Sequence, residues 1–208
     1  EYADAMFRRL DDRVNYWTTL YEPWVVADGG YMHGVLAPGH RNIFEAPRAA
    51  HHLMMAHGAA VQAYRATGRN KIGLVVNIEP KYAASQSDAD CAATRRAEAY
   101  MNRQYLEPAL LGSYPEELHE VFGEAWPQWP AADLKLIKQP LDYIGVNYYT
   151  RAVVRSDPTA WPLKATTVKQ KQHTHMETGW EVYPQGLVDT LLCIKDNYGN
   201  PPVYITED

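Results

Sequence analysis

The chain has 208 residues, is 46% hydrophobic and carries a formal charge of -5, a composition that supports one sizeable core and excludes a disordered chain. That acidic balance, without a lysine- or arginine-rich run, leaves no basic surface to collect phosphates, so nucleic acid is not an expected partner. No stretch approaches the about 18 apolar residues of a membrane span, so no membrane partner is expected either.

An amphipathic helix is already under way at Glu1, where no methionine stands. The native N-terminus is therefore expected upstream, and the compartment is not legible from this end. The first strand is predicted at 14–20 (VNYWTTL), followed by a loop over 28–45. A helix is predicted from Pro47 to Thr67, with Leu53, Ala56, Ala60, Val61 and Tyr64 on one stripe and Gly68 in the stopping position. The second strand is KIGLVVNI at 71–78. A helix over Asp88 to Leu106 follows, rich in alanine and arginine and ending before Pro108. LDYIGVNYY at 141–149 is the third strand, and 150–180 reads as a long loop. The last helix starts after Gln185, carries Leu187, Leu191, Leu192 and Ile194, and stops at Asn197 and Gly199. PVYITE at 202–207 is the fourth strand.

These strands are rich in β-branched and aromatic residues without strict alternation, as parallel strands covered on both faces are. Strands alternating with helices imply right-handed βα units around a parallel sheet, in a single α/β domain with no linker. Cys91 and Cys193 fall far apart in helical segments and read as buried small hydrophobes rather than as a disulfide or metal pair.

The polar residues of interest end the strands: Glu22 after the first, Asn77 at the second, Asn147 and Tyr149 at the third, Glu207 at the fourth. In a βα barrel those ends share the face that carries the active site. Two carboxylates there can flank a scissile bond as proton donor and nucleophile. A lone glutamate after a strand is ordinarily solvated or salt-bridged, so the pair matters more than either member. Glu79, in NIEP, reads as non-catalytic. His51, His52 and His57 lack a metal spacing and read as hydrogen-bonded structural groups, and HTH at 173–175 reads as a loop. Trp126, Trp129 and Trp180 are open between sugar platforms and loop packing.

TLYEP at 19–23 resembles the acid/base motif T-L-N-E-P of glycoside hydrolase family 1, and YITED at 204–208 resembles its nucleophile motif Y-I-T-E-N-G. Between them, in the family's order, stand APG at 37–39, HHLMMAHG at 51–58, IGLVVN at 72–77, YLEPALLGSYP at 105–115, DYIGVNYYT at 142–150 and GWEVYPQGL at 179–187. The resemblance spans essentially the whole chain. It implies a portion of a (β/α)8 TIM barrel, strands four to seven, and a retaining β-glycosidase, most commonly a β-glucosidase, that needs no cofactor and no metal.

By that resemblance Glu22 is the general acid/base and Glu207 the nucleophile, with their carboxyls expected about 5–5.5 Å apart. Asn147 and Tyr149 match positions near the nucleophile, and Asn77 one toward the aglycone side. Tyr21 replaces the family's asparagine that meets the sugar 2-hydroxyl, and Asp208 replaces the asparagine after the nucleophile. The implied substrate is a β-glucoside or related small saccharide, with glucose, galactose, fucose and 6-phospho-sugar specificity left open. Four βα units are half a barrel, so the chain is expected to pair with a second copy of itself, to dock with the missing half, or to be part of a longer chain, and not to be an efficient glycosidase alone. The alternative is a catalytically impaired half-barrel that serves as a sugar-binding or assembly module.

Overall fold

The computed structural model describes residues 1–208. The chain opens with α1 (Tyr2–Leu10), β1 (Tyr16–Tyr21) and α2 (Pro23–Ala27), which runs into a π turn at Asp28–Met32. Then follow α3 (Ala46–Thr67), β2 (Lys71–Asn77), β3 (Lys81–Ala83) and α4 (Asp88–Glu98). A second π turn, Ala99–Arg103, links α4 to α5 (Gln104–Leu110), and α6 (Glu117–Phe122) and α7 (Ala131–Ile137) precede β4 (Tyr143–Asn147). The last elements are β5 (Ala152–Ser156), β6 (Ala165–Thr167), α8 (Gln185–Asn197) and β7 (Val203–Glu207).

The four expected strands form one sheet in the order β1-β2-β4-β7, and every neighbouring pair is parallel. In the two central strands alternate residues serve different environments. Leu74, Val76, Ile144, Val146 and, just past β4, Tyr148 join the main core with Met54, Ile137 and Ile194 of the covering helices. Gly73, Val75, Asn77, Tyr143, Gly145 and Asn147 occupy the other face. β2 and β4 are buried almost throughout, whereas β1 and β7, at the sheet edges, stay half-open.

Two helical stripes differ from the predicted ones. In α3 the inward line runs through Ala50, Met54, His57, Val61 and Tyr64, with Ala46, Pro47, His51 and Gly58 also buried, while Ala56 is exposed. Hydropathy points elsewhere because this stripe contains a histidine and also Gly58, where a Cβ would fall 2.0 Å from the Leu136 carbonyl oxygen. In α8 the buried line is Gly186, Thr190 and Ile194, and Leu192 faces outward. That rotation leaves Cys193 exposed, and Cys91 on α4 is half-exposed, so neither is the buried small hydrophobe expected.

The helix expected to stop before Pro108 continues through it to Leu110. Leu106 and Ala109 are buried there, and that packing outweighs the lost backbone hydrogen bond of one proline. The 150–180 connection is not plain loop. It holds the antiparallel pair β5–β6, and β5 also runs parallel to β3, making a second sheet of order β3-β5-β6. Strands of three residues carry too little sequence to show a period.

Candidate active site

Both candidate catalytic glutamates stand where a strand is locally out of register. On β1, Thr18 pairs with Gly73 but Tyr21 with Val75, so β1 holds one residue more than β2 over that span. On β7, Ile205 pairs with Val146 and Glu207 with Asn147, leaving Thr206 as the extra residue. Such bulges bend a strand and re-aim the next side chain. Glu22 then takes a left-handed backbone, φ 48° and ψ 62°, a conformation that costs a non-glycine residue roughly 1–3 kcal/mol. It is held there by its own N–H, which donates to Val75 O at 3.0 Å, and by its carbonyl, which accepts from Val25 N at 3.0 Å.

The strand between them binds both. Asn147 donates from Nδ2 to Glu22 Oε1 at 2.7 Å, and the Tyr149 hydroxyl donates to Glu207 Oε2. The backbone adds a third link, Tyr148 N to Glu207 O at 3.0 Å. Asn147, the last residue of β4, and Tyr149, two residues past it, thus anchor carboxylates from the sheet's two edges.

A cavity of about 520 Å³ opens beside these groups, with Glu22, Asn77, Asn147 and Tyr149 in its wall. Glu207 is not in that wall and joins the site through Tyr149. Tyr21 is not in it either and is 48% exposed. Trp180 lines the cavity with its ring 5.0 Å from that of Tyr149. The other two open tryptophans are packing residues: Trp126 stacks on Phe122, and Trp129 stacks on the His51 ring at 3.8 Å with the two planes nearly parallel.

Sequence reasoning missed much of the remaining wall. Trp24 and Trp161 line it, as do Asp28, His33 and Tyr100. Tyr100 donates to Asp28 Oδ1 at 2.6 Å, and His33 Nε2 stands 3.5 Å from the same oxygen. Burial raises the Asp28 carboxyl above its ordinary range, with the Tyr100 hydrogen bond opposing the shift. Burial, and then the neighbouring Asp28, lifts the Tyr100 phenol well above its usual range. Trp24 was legible in principle, since it follows the EP of the first motif; the others come from loops and from α4's continuation, with no local signal. Glu79 is also in the wall, where Lys81 pairs with its carboxylate.

The histidines divide. His51 is buried between Tyr114 OH at 3.0 Å and Asp133 at 3.3 Å, and burial lowers its pKa. His57 is buried against Thr19, His52 is exposed, and His173 pairs with Glu181. No group of three or more His, Cys, Asp or Glu side chains is arranged to hold a metal ion.

Comparison with known proteins identifies the family and the fold. The family model of glycosyl hydrolase family 1 matches residues 1–208. Beta-glucosidase A of Thermotoga maritima is 39% identical over 210 aligned residues, which take in 100% of this chain and 47% of that protein. A solved structure of a Thermotoga maritima family 1 glycoside hydrolase, complexed with a cyclophellitol analogue transition state mimic, superposes with a TM-score of 0.93 at 40% identity. It covers 99% of this chain and 46% of that one. A beta-glucosidase from Exiguobacterium marinum gives a TM-score of 0.92 at 32% identity, over 99% of this chain and 48% of that one. The chain spans about half the length of the curated relatives it matches, and its α/β architecture is a portion of their (β/α)8 barrel.

Proposed function

The chain belongs to glycosyl hydrolase family 1 across residues 1–208, and from that premise we propose that it is a single partial-barrel catalytic domain of a retaining β-glycosidase acting on terminal β-glucosides. The observation that carries this reading is the pairing of each strand-end glutamate with a polar residue at or just past the end of β4, Glu22 with Asn147 and Glu207 with Tyr149.

In the first step Glu207 attacks the anomeric carbon as a carboxylate while Glu22 gives its proton to the leaving glycosidic oxygen. The carbon–oxygen bond breaks as the glycosyl–Glu207 ester forms. In the second step Glu22 takes a proton from water, whose oxygen displaces Glu207 and releases the sugar. Tyr149 orients the nucleophile through its hydroxyl, Asn147 orients the acid/base, and Asn77 meets the leaving group from the cavity wall. Tyr21 offers a phenol where the family has an amide for the 2-hydroxyl.

A 2-deoxy-2-fluoro-β-glucoside with a good leaving group tests this. It should leave a stable mass increase on the peptide that carries Glu207, alongside turnover of a nitrophenyl β-glucoside. Turnover with the adduct on another residue would overturn the assignment. A second reading, a sugar-binding or assembly module without turnover, draws on Tyr21, which is exposed and outside the cavity wall. Exposed Tyr16, Tyr204 and Ile205 on the edge strands supply the apolar surface that self-association or a complementary half-barrel would cover.

A further inference from the structure

Side chains from β7, from β4 and from the residue that follows β1 form one hydrogen-bonded line into the cavity. Thr206 Oγ1 stands 2.5 Å from Asn147 Oδ1, and Asn147 Nδ2 stands 2.7 Å from Glu22 Oε1. These distances orient the amide. The first suits O–H···O and is shorter than the roughly 2.7 Å lower limit of N–H···O, whereas the second suits an N–H donor facing a carboxyl oxygen. Asn147 is fully buried, so water does not compete for either end of it.

Backbone geometry places Thr206 for this contact. Consecutive residues of a regular strand face opposite sides, yet Thr206 reaches Asn147 while Glu207 reaches Tyr149, two residues further on. The bulge at Thr206 allows both. Gly145 leaves the space, since a Cβ there would lie 3.1 Å from Thr206 Cγ2 and 3.3 Å from its Oγ1.

We propose that Thr206 is a positioning residue for Glu22: by donating to Asn147 Oδ1 it fixes the amide so that Glu22 receives an N–H on Oε1 and carries its transferable proton on Oε2. This rests on the reading of Glu22 as the acid/base. A proton on Oε1 would oppose the amide N–H, so the other oxygen serves the leaving group in the first step and the water in the second. Without the hydroxyl the amide is free to turn over. Its Oδ1 then accepts the acid's proton and withdraws it from the leaving oxygen.

Thr206→Val and Thr206→Ala, made in the full chain, remove the hydroxyl, and Thr206→Ser keeps it. The Asn147 side-chain amide, assigned with Asn147→Asp and followed by nitrogen-15 NMR, should exchange with solvent at least about tenfold faster in the Val and Ala variants and regain slow exchange in the Ser variant. Folded Val or Ala variants with the wild-type exchange rate overturn the proposal, and this measurement needs no turnover. On aryl β-glucosides the same variants should lose at least about tenfold in kcat for poor leaving groups, with less than about threefold change for good ones and in KM. An equal loss across all leaving groups overturns the positioning role. Faster amide exchange with no turnover by the wild-type chain completed by its missing half counts against the hydrolase reading and leaves the amide lock standing.

Discussion

His57 lies buried on α3 with Nδ1 2.5 Å from the hydroxyl of Thr19 on β1, while its Nε2 meets no hydrogen-bonding partner. A proton added there would bury a charge with one N–H unpaired, and burial accordingly pushes the imidazole down to about 4 from 6.5. The unfolded chain takes up this proton first as pH falls. Stability from this group is therefore complete above about pH 6.5 and lost progressively down to pH 4, by on the order of 3 kcal/mol. Urea unfolding across that window should show a steeper acid loss for the wild type than for His57→Gln, which has no proton to gain. Parallel curves would remove His57 from the acid sensitivity of the fold.

Tyr149 is the one side chain that donates a hydrogen bond to the Glu207 carboxylate, and its ring packs beside Trp180. Tyr149→Phe keeps the ring and deletes the donor. Hydrogen bonds to charged groups contribute about 1.5–3 kcal/mol, so kcat/KM on a nitrophenyl β-glucoside should fall roughly 10- to 100-fold, with the unfolding midpoint nearly unchanged. A wild-type rate in the folded variant would mean that the hydroxyl does not tune the nucleophile.

Much of this arrangement was legible in the chain. β2 and β4 announce themselves because both faces are covered, which leaves continuous apolar runs such as IGLVV and YIGV. The strand-end residues Glu22, Asn77, Asn147 and Glu207 follow from those runs and from the two motifs. The α3 stripe was not legible, because its inward line includes His57, whose Nδ1 is met by a residue 38 positions earlier while its Nε2 stays unpaired. Nor were the bulges at Thr18–Tyr21 and Thr206: a register shift leaves no composition signal, yet it decides which face each glutamate meets. The Asp28–Tyr100–His33 group joins the first π turn to the second, a contact across 72 positions that no local pattern encodes.

Glu22 and Glu207 should behave differently when truncated. Loss of the acid hurts only where the leaving group needs a proton, so Glu22→Ala should retain turnover of activated aryl glucosides and be accelerated by azide, which replaces water without needing a base. Glu207→Ala should form no covalent intermediate on any substrate. In a crystal structure the two carboxyls should stand about 5–5.5 Å apart, the retaining spacing. Equal losses on every substrate, or a separation beyond about 8 Å in an ordered site, would contradict these roles.

Tyr21 ends β1 beside Glu22 and is 48% exposed, in the position where the family resemblance expects an asparagine. A short amide there donates to the sugar 2-hydroxyl, a contact that strengthens as positive charge builds at the anomeric carbon. A phenol is longer and bulkier than the amide it replaces. If the restored amide regains about 1.4 kcal/mol in the transition state, Tyr21→Asn raises kcat on glucosides by about tenfold. The 2-hydroxyl supplies the control: on 2-deoxyglucosides, which lack the group the amide would bind, the gain should vanish. An equal gain on both substrates would trace the effect to relieved crowding by the phenol, and no gain on either, with KM unchanged, would mean that Tyr21 serves the site as well as an amide does.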